Sequence, residues 1–164
     1  MTKDAKGGPG EPAALHFPPA RPEDHGRLLD IWEAAVRPTH LFLTEADIED
    51  LRPQVREAFA GVAELYLALD PQGVPAGFMG LTPPDGRNPA RVEMLFVDPA
   101  SHGQGLGTAL LQMAQDKYSV LELEVNEGNA SGADFYRRRG FEVKGRSERD
   151  LEGRPFPIVY LRRG

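Results

Sequence analysis

The chain has no cysteine. Disulfides, thiolate metal sites and a cysteine nucleophile are therefore excluded. Its four histidines are scattered, without the spacing of a metal centre, so no metal is expected. Basic residues are in short supply: 19 Lys and Arg against 25 Asp and Glu give a net charge of −6. That balance argues against a nucleic-acid partner, because bulk binding of that kind relies on basic surface. It suits a cationic substrate such as an amine, although solubility alone would also account for it. No apolar run is long enough to span a membrane, and Met1 to Pro12 lack the apolar core of a signal peptide. The expectation is a cytoplasmic protein with no membrane partner.

What is present reads as one domain. A length of 164 residues is enough for a proper core. Residues 1–13 are rich in Gly, Pro and Lys and read as a flexible tail, which leaves 14–164 as the domain. Leu15 to Phe17 form a candidate first strand. Pro22-Glu23-Asp24 opens a helix, with proline and acids in the first turn. Leu28, Ile31, Trp32, Ala35 and Val36 give that helix one apolar face. Thr44-x-x-Asp47 reads as a capping box for a second helix, faced by Ile48, Leu51, Val55, Ala58 and Phe59. Pro53 inside it predicts a kink or break near Arg52.

The period then changes. Leu65–Leu69 and Ala76–Leu81 read as strands around an Asp70–Gly73 turn. Strands are also expected at Val92–Val97 and Val120–Val125, and a short helix over Ser131–Arg139. A closing hairpin pairs Phe141–Leu151 with Ile158–Leu161. The order predicts a mixed α/β (α+β) domain: one layered sheet with helices on both faces.

The most informative stretch is His102-Gly103-Gln104-Gly105-Leu106-Gly107. It follows the strand ending at Val97 and opens a helical pattern of Leu106, Ala109, Leu110, Met113 and Ala114. Strand, glycine loop and helix start make a phosphate cradle, because first-turn N–H groups and the helix dipole attract negative charge. Thr108 stands where a Walker loop needs Lys, and the third glycine falls one residue early for a dinucleotide fingerprint. A glycine-rich turn that binds nothing would look the same in isolation.

The loop is not isolated. Val97-x-Pro99, then Gly103-x-Gly105-x-Gly107, resembles motif A of the GNAT N-acetyltransferase superfamily. That motif, Arg/Gln-x-x-Gly-x-Gly/Ala, maps onto His102, Gly105 and Gly107. Asn129, Phe135-Tyr136 and Gly140-Phe141 resemble motif B, with its spacing intact. The resemblance covers about residues 20 to 162. Trp32, Thr39-His40-x-Phe42-Leu43, Gly145-Arg146-Ser147 and Gly153-Arg154-Pro155-Phe156-Pro157 are similar to features of the small bacterial YjaB-type acetyltransferases. It implies a six- or seven-stranded mixed sheet, splayed between its fourth and fifth strands to admit acetyl-CoA. It also implies the cofactor-binding positions: Leu95, Phe96 and Val97 on the strand; His102, Gly103, Gln104 and Gly105 in the loop; Leu106, Gly107 and Thr108 at the helix start. Asn129, Phe135 and Tyr136 complete that set.

Acyl transfer to an amine needs a proton acceptor, N–H donors for the oxyanion and a proton donor for the departing thiolate. An alkylamine such as lysine, of pKa about 10.4, is mostly protonated at neutral pH. Tyr136 holds the position of the family's proton donor; otherwise it is a core aromatic beside Phe135. Glu93 and Glu124 compete as base. Glu93 lies in phase with Leu95 and Val97, and Glu124 lies on the next strand, five residues before Asn129. Either could instead be a solvated strand residue. The oxyanion donor is expected among the N–H groups of Met94–Val97. His102 departs from the family's Arg or Gln, and Gly132 from its usual Ala. His40 is a candidate for the acceptor pocket, shared with Glu93, and Trp32 reads as core. The expected activity is acetyl-CoA-dependent N-acetyl transfer to a small-molecule or peptide amine. Another acyl donor or acceptor, or an acyl-CoA sensor without catalysis, remains open, as does a homodimer.

Overall fold

The computed structural model describes residues 17–164. The expected tail and the start of the Leu15–Phe17 strand lie outside that range. Just inside it, Pro19 makes an isolated bridge with Tyr66.

A 3₁₀ turn at Pro22–Asp24 leads into α1, His25–Thr39, with Asp24 accepting from the Arg21 N–H at 2.8 Å. The capping box opens α2, Glu45–Gly61, through both of its bonds: Asp47 N–H to Thr44 Oγ1 at 3.1 Å, and Thr44 N–H to Asp47 Oδ2 at 2.9 Å. Contrary to the expected break, α2 runs on through Pro53. A proline removes one donor from the helix ladder. Here Ile48 and Phe59, on either side of it, are both buried in the same core and hold the helix in one piece.

Six strands follow the expected order: β1 Glu64–Leu69, β2 Pro75–Thr82, β3 Ala90–Val97, β4 Leu121–Asn126, β5 Glu142–Ser147 and β6 Ile158–Arg163. Helix α3, Leu106–Lys117, links β3 to β4, and α4, Ala130–Arg137, links β4 to β5. The sheet order is β1-β2-β3-β4-β6-β5. Every pair is antiparallel except β3–β4. That parallel pair is held only at Ala90–Leu121 and Arg91–Glu122, and beyond these residues the strands part. The expected split is therefore between β3 and β4.

Two cores flank the sheet. Leu110, Leu111 and Ala114 of α3 pack on Met79, Leu81 and Leu123, with Phe135 and Tyr136 of α4 against the same cluster. On the other face Leu28, Ile31 and Trp32 of α1 and Phe59 of α2 cover Leu65, Leu67 and Phe78.

One feature of β3 corrects the sequence reading. Gly80 pairs with Met94, but the next residue, Leu81, pairs with Val92. Glu93 is the extra residue of a β-bulge, which shifts side-chain phase. Val92 packs in the α3 core, and so do Leu95 and Val97, while Met94 and Phe96 turn to the α1–α2 core. Simple alternation, which aligned Glu93 with Leu95 and Val97, fails at this point.

Candidate active site

The glycine loop is built on a braced strand end. Asp98 accepts from the Ala100 N–H at 3.0 Å and from the Arg27 guanidinium at 2.8 Å. These two partners, opposed by partial burial, hold its carboxyl below the usual range. Arg27 also donates to the Pro75 carbonyl at 3.0 Å, tying the loop to α1 and β2. Gly103 and Gly105 have φ of +86° and +75°, a conformation that L side chains rarely adopt. Gly105 is the N-cap of α3, and the first intrahelical bond runs from the Ala109 N–H to its carbonyl at 2.9 Å. The N–H groups of Leu106, Gly107 and Thr108 precede that bond and form the cradle. A Cβ on Gly107 would meet Val97 and Phe135 only at ordinary contact, 3.5 and 3.6 Å, so packing alone does not demand glycine there.

This loop lines one end of a cleft of about 750 Å³ that runs through the split. His102, Gly103, Gly105, Leu106, Gly107 and Thr108 all border it, as do Leu95, Phe96 and Val97, and so do Asn129, Phe135 and Tyr136. Of the expected cofactor positions only Gln104 is off the lining. The N–H of Asp98 bonds to Ala76 of β2 at 2.8 Å. Alternation along β3 then turns Phe96 and Met94 to β2 as well, and aims the N–H groups of Leu95 and Val97 into the split. This narrows the candidate oxyanion donors from four to two.

Tyr136 is wedged between Phe135 and Phe141, at ring distances of 5.1 and 5.5 Å and steep angles. Burial pushes its phenol well above its ordinary value, against a small opposing pull from Arg139. The hydroxyl is therefore a donor at neutral pH. Among the described residues it makes no hydrogen bond, yet it is not one of the buried atoms left without a partner, so it opens onto the cleft that Tyr136 lines. Asn129 is the N-cap of α4, accepting from the Gly132 N–H and the Ser131 hydroxyl, each at 3.1 Å. A Cβ at Gly132 would come within 3.0 Å of the Asn129 amide carbon, so the glycine makes room for the capping conformer.

A second cavity of about 410 Å³ adjoins the first on the α1–α2 side. His40, Glu93, Met94, Phe96, Glu124 and Asn126 border both. Both candidate bases thus lie at the junction, as does His40, and one residue that sequence reasoning missed joins the carboxylates. Arg91 donates to Glu124 at 2.7 Å and pairs with Glu93 at 3.5 Å. Glu93 also accepts from the Thr82 hydroxyl at 2.6 Å. The Arg91–Glu93 i, i+2 spacing was a visible signal, but the bond across the split to Glu124 was not.

Thr39 gives its hydroxyl proton to the Ala35 carbonyl at 2.7 Å, so its 2.8 Å contact with His40 Nδ1 is a bond that the imidazole donates. Nε2 is then the open acceptor. Desolvation by burial lowers the His40 pKa and favours this neutral form. Phe42 packs 5.5 Å from His40 and 5.2 Å from Phe156 of the β5–β6 loop. It lies so close to Gly128 that a Cβ there would sit 2.5 Å from its ring. Trp32 is buried as expected, yet its edge borders this second cavity. Arg154, ion-paired with Asp150 at 3.1 Å, reaches Gln54 of α2 at 3.4 Å and ties the β5–β6 loop across the cavity mouth.

A splayed mixed sheet, a glycine loop at its parallel strand and a tyrosine on the following short helix define an acetyltransferase. A family model described as an acetyltransferase (GNAT) domain matches residues 62–143, and the chain belongs to that family. It is an N-acetyltransferase. Among its relatives is peptidyl-lysine N-acetyltransferase YjaB of Salmonella typhimurium (strain LT2), 38% identical over 142 residues, 87% of this chain and 93% of that protein. The solution structure of apo-form YjaB from Escherichia coli superposes with a TM-score of 0.79 at 32% identity, covering 92% of this chain and 97% of that one. The fold is shared too with PaiA N-acetyltransferase from Thermoplasma acidophilum, solved in complex with coenzyme A, at a TM-score of 0.72 and 16% identity over 92% of this chain and 99% of that one. Among the described residues no helix is long and apolar enough to cross a membrane.

Proposed function

We propose that this protein transfers the acetyl group of acetyl-CoA to the side-chain amine of a peptidyl lysine by direct attack. The observation that carries the reading is one continuous split, with a phosphate cradle and the Tyr136 ring on one side and a carboxylate-edged cavity on the other. The name of the YjaB relative supports the choice of acceptor. The cradle fits the cofactor: first-turn N–H groups stand ahead of the first helix bond, and Gly107 has no packing reason to be glycine. When bound, acetyl-CoA supplies the acetyl group as an activated thioester.

The protein's own residues then have distinct tasks. The loop N–H groups hold the diphosphate. Leu95 and Val97 offer N–H donors to the carbonyl oxygen as charge builds on it. Glu124, with Glu93 beside it, attracts the lysine ammonium and takes its proton through water. Arg91 fixes the position of both carboxylates. The Tyr136 hydroxyl gives its proton to the leaving sulfur. A cytoplasmic setting without metal belongs to the same reading.

A CoA-release assay tests the acceptor. A lysine peptide with a blocked N-terminus should be turned over, and the same peptide with Lys replaced by Arg should not. Equal turnover of both, or turnover of small amines alone, would exclude the peptidyl-lysine assignment. The loop makes its own prediction. His102 stands exposed at the rim of the cradle, at a position where the resemblance implies Arg or Gln. His102→Arg should tighten acetyl-CoA binding several-fold in calorimetry, because a fork of charged donors replaces one imidazole. An unchanged affinity would show that the side chain points away from the phosphates.

A further inference from the structure

Beyond the loop, one cation just off the cleft lining, behind Thr108 and Phe135, is left without a task. Arg139 follows α4, and its guanidinium lies 3.7 Å from the centre of the Phe135 ring. It donates to the Phe135 carbonyl at 2.7 Å and to the Thr108 hydroxyl at 2.6 Å. Its Nε is buried with no hydrogen-bond partner. Among the described residues no carboxylate pairs with it, although most arginines in this acidic chain have one. A guanidinium has five N–H donors. One is buried at Nε and two are committed to Phe135 and Thr108, so two remain. Stacking on Phe135 and the two bonds hold the guanidinium in place beside the first turn of α3.

Such a fixed, unpaired fork is built for a phosphate. The diphosphate has its own donors, the N–H groups from Gly103 to Thr108. Arg139 reaches this region from outside, through the side chain of Thr108 rather than from within the loop. We propose that Arg139 recognises the 3′-phosphate of the cofactor's adenosine, and so lets the enzyme distinguish acetyl-CoA from 3′-dephospho-acetyl-CoA. The inference rests on the acetyl-CoA reading of the cleft.

Calorimetry on the full chain tests it without knowledge of the acceptor. Two ligands, acetyl-CoA and 3′-dephospho-acetyl-CoA, are titrated into the parent protein and into Arg139→Gln and Arg139→Lys. The parent should favour acetyl-CoA by on the order of tenfold, the size of a charge-assisted pair at a solvent-facing rim. Arg139→Gln should lose that preference by weakening acetyl-CoA alone. Arg139→Lys should keep part of it, because the charge survives and the fork does not. If Arg139→Gln weakens both ligands equally, the residue serves the diphosphate or the fold, and the 3′-phosphate assignment is overturned. An unchanged preference in Arg139→Gln overturns it as well. Failure of the parent to bind acetyl-CoA at all would overturn the cofactor reading together with it, an outcome distinct from the other two.

Discussion

Tyr136→Phe is expected to lower kcat by about 10²–10⁴-fold, the usual contribution of a positioned general acid. Acetyl-CoA affinity and Tm should barely change. The ring carries the packing on Phe135 and Phe141, and phenylalanine preserves it. The hydroxyl accounts for none of the hydrogen bonds among the described residues, so its loss leaves no partner stranded. Burial keeps the phenol protonated across the working pH range. The proton needed by a leaving thiolate is therefore already in place, and no titration of this group should appear in the neutral limb of a pH–rate profile. Stopped-flow release of CoA with a lysine peptide, alongside calorimetry on the same variant, separates chemistry from binding. Equal turnover by the variant would remove Tyr136 as the acid and leave water to protonate the sulfur.

Gly105→Asp should reduce acetyl-CoA affinity by on the order of 10²–10³-fold, from a carboxylate set against the diphosphate within a few ångströms. The fold should survive for two reasons. Nothing lies within 4 Å of a Cβ built at this position, and φ of +75° is one that Asp and Asn tolerate better than other side chains. The left-handed φ still strains any L side chain, at a cost of about 1 kcal/mol, so Tm should fall slightly while the fold persists. Gly105→Asn supplies the control, with the same shape and no charge. Affinity lost equally in both variants would assign the effect to crowding. Affinity retained in folded Gly105→Asp would remove the diphosphate from this loop.

Much of this architecture was legible because its signals are local. The two helices of the acceptor side follow from spacing and from Thr44 and Asp47, which cap each other across three residues. The glycine loop is legible because its residues are adjacent in the chain and its φ values demand glycine. Asn129, an expected cofactor position, borders the cleft and also caps α4, a second task that its spacing alone does not reveal. What escaped the sequence depends on distant partners. Arg91 meets Glu124 across 33 residues, Arg139 meets Thr108 across 31, and Arg27 meets Asp98 across 71. No periodicity encodes such meetings, since they exist only once the sheet has formed. Gly132, a departure from the family's Ala, finds its reason only in the Asn129 side chain folded over it. The bulge at Glu93 hid for a similar reason, because the slip is defined by how β2 pairs with β3 and not by β3 alone.

That bulge has a consequence for how the enzyme can change. It works as a phase adjuster between two lengths of one strand. Upstream, Ala90 and Val92 belong to the α3 core with Arg91 turned to the acceptor cavity; downstream, Leu95 and Val97 rejoin the α3 core and present their amides to the split. If the strand kept Glu93 and paired without the slip, plain alternation would set Val92 on the same face as Met94 and Phe96 and pull it out of the α3 core. With the slip in place, the two halves are uncoupled. On the proposed reading, substitutions around Arg91 and Glu93 would retune which amine is accepted while the amides downstream keep their aim, so acceptor choice could drift in descent without rebuilding the acetyl end.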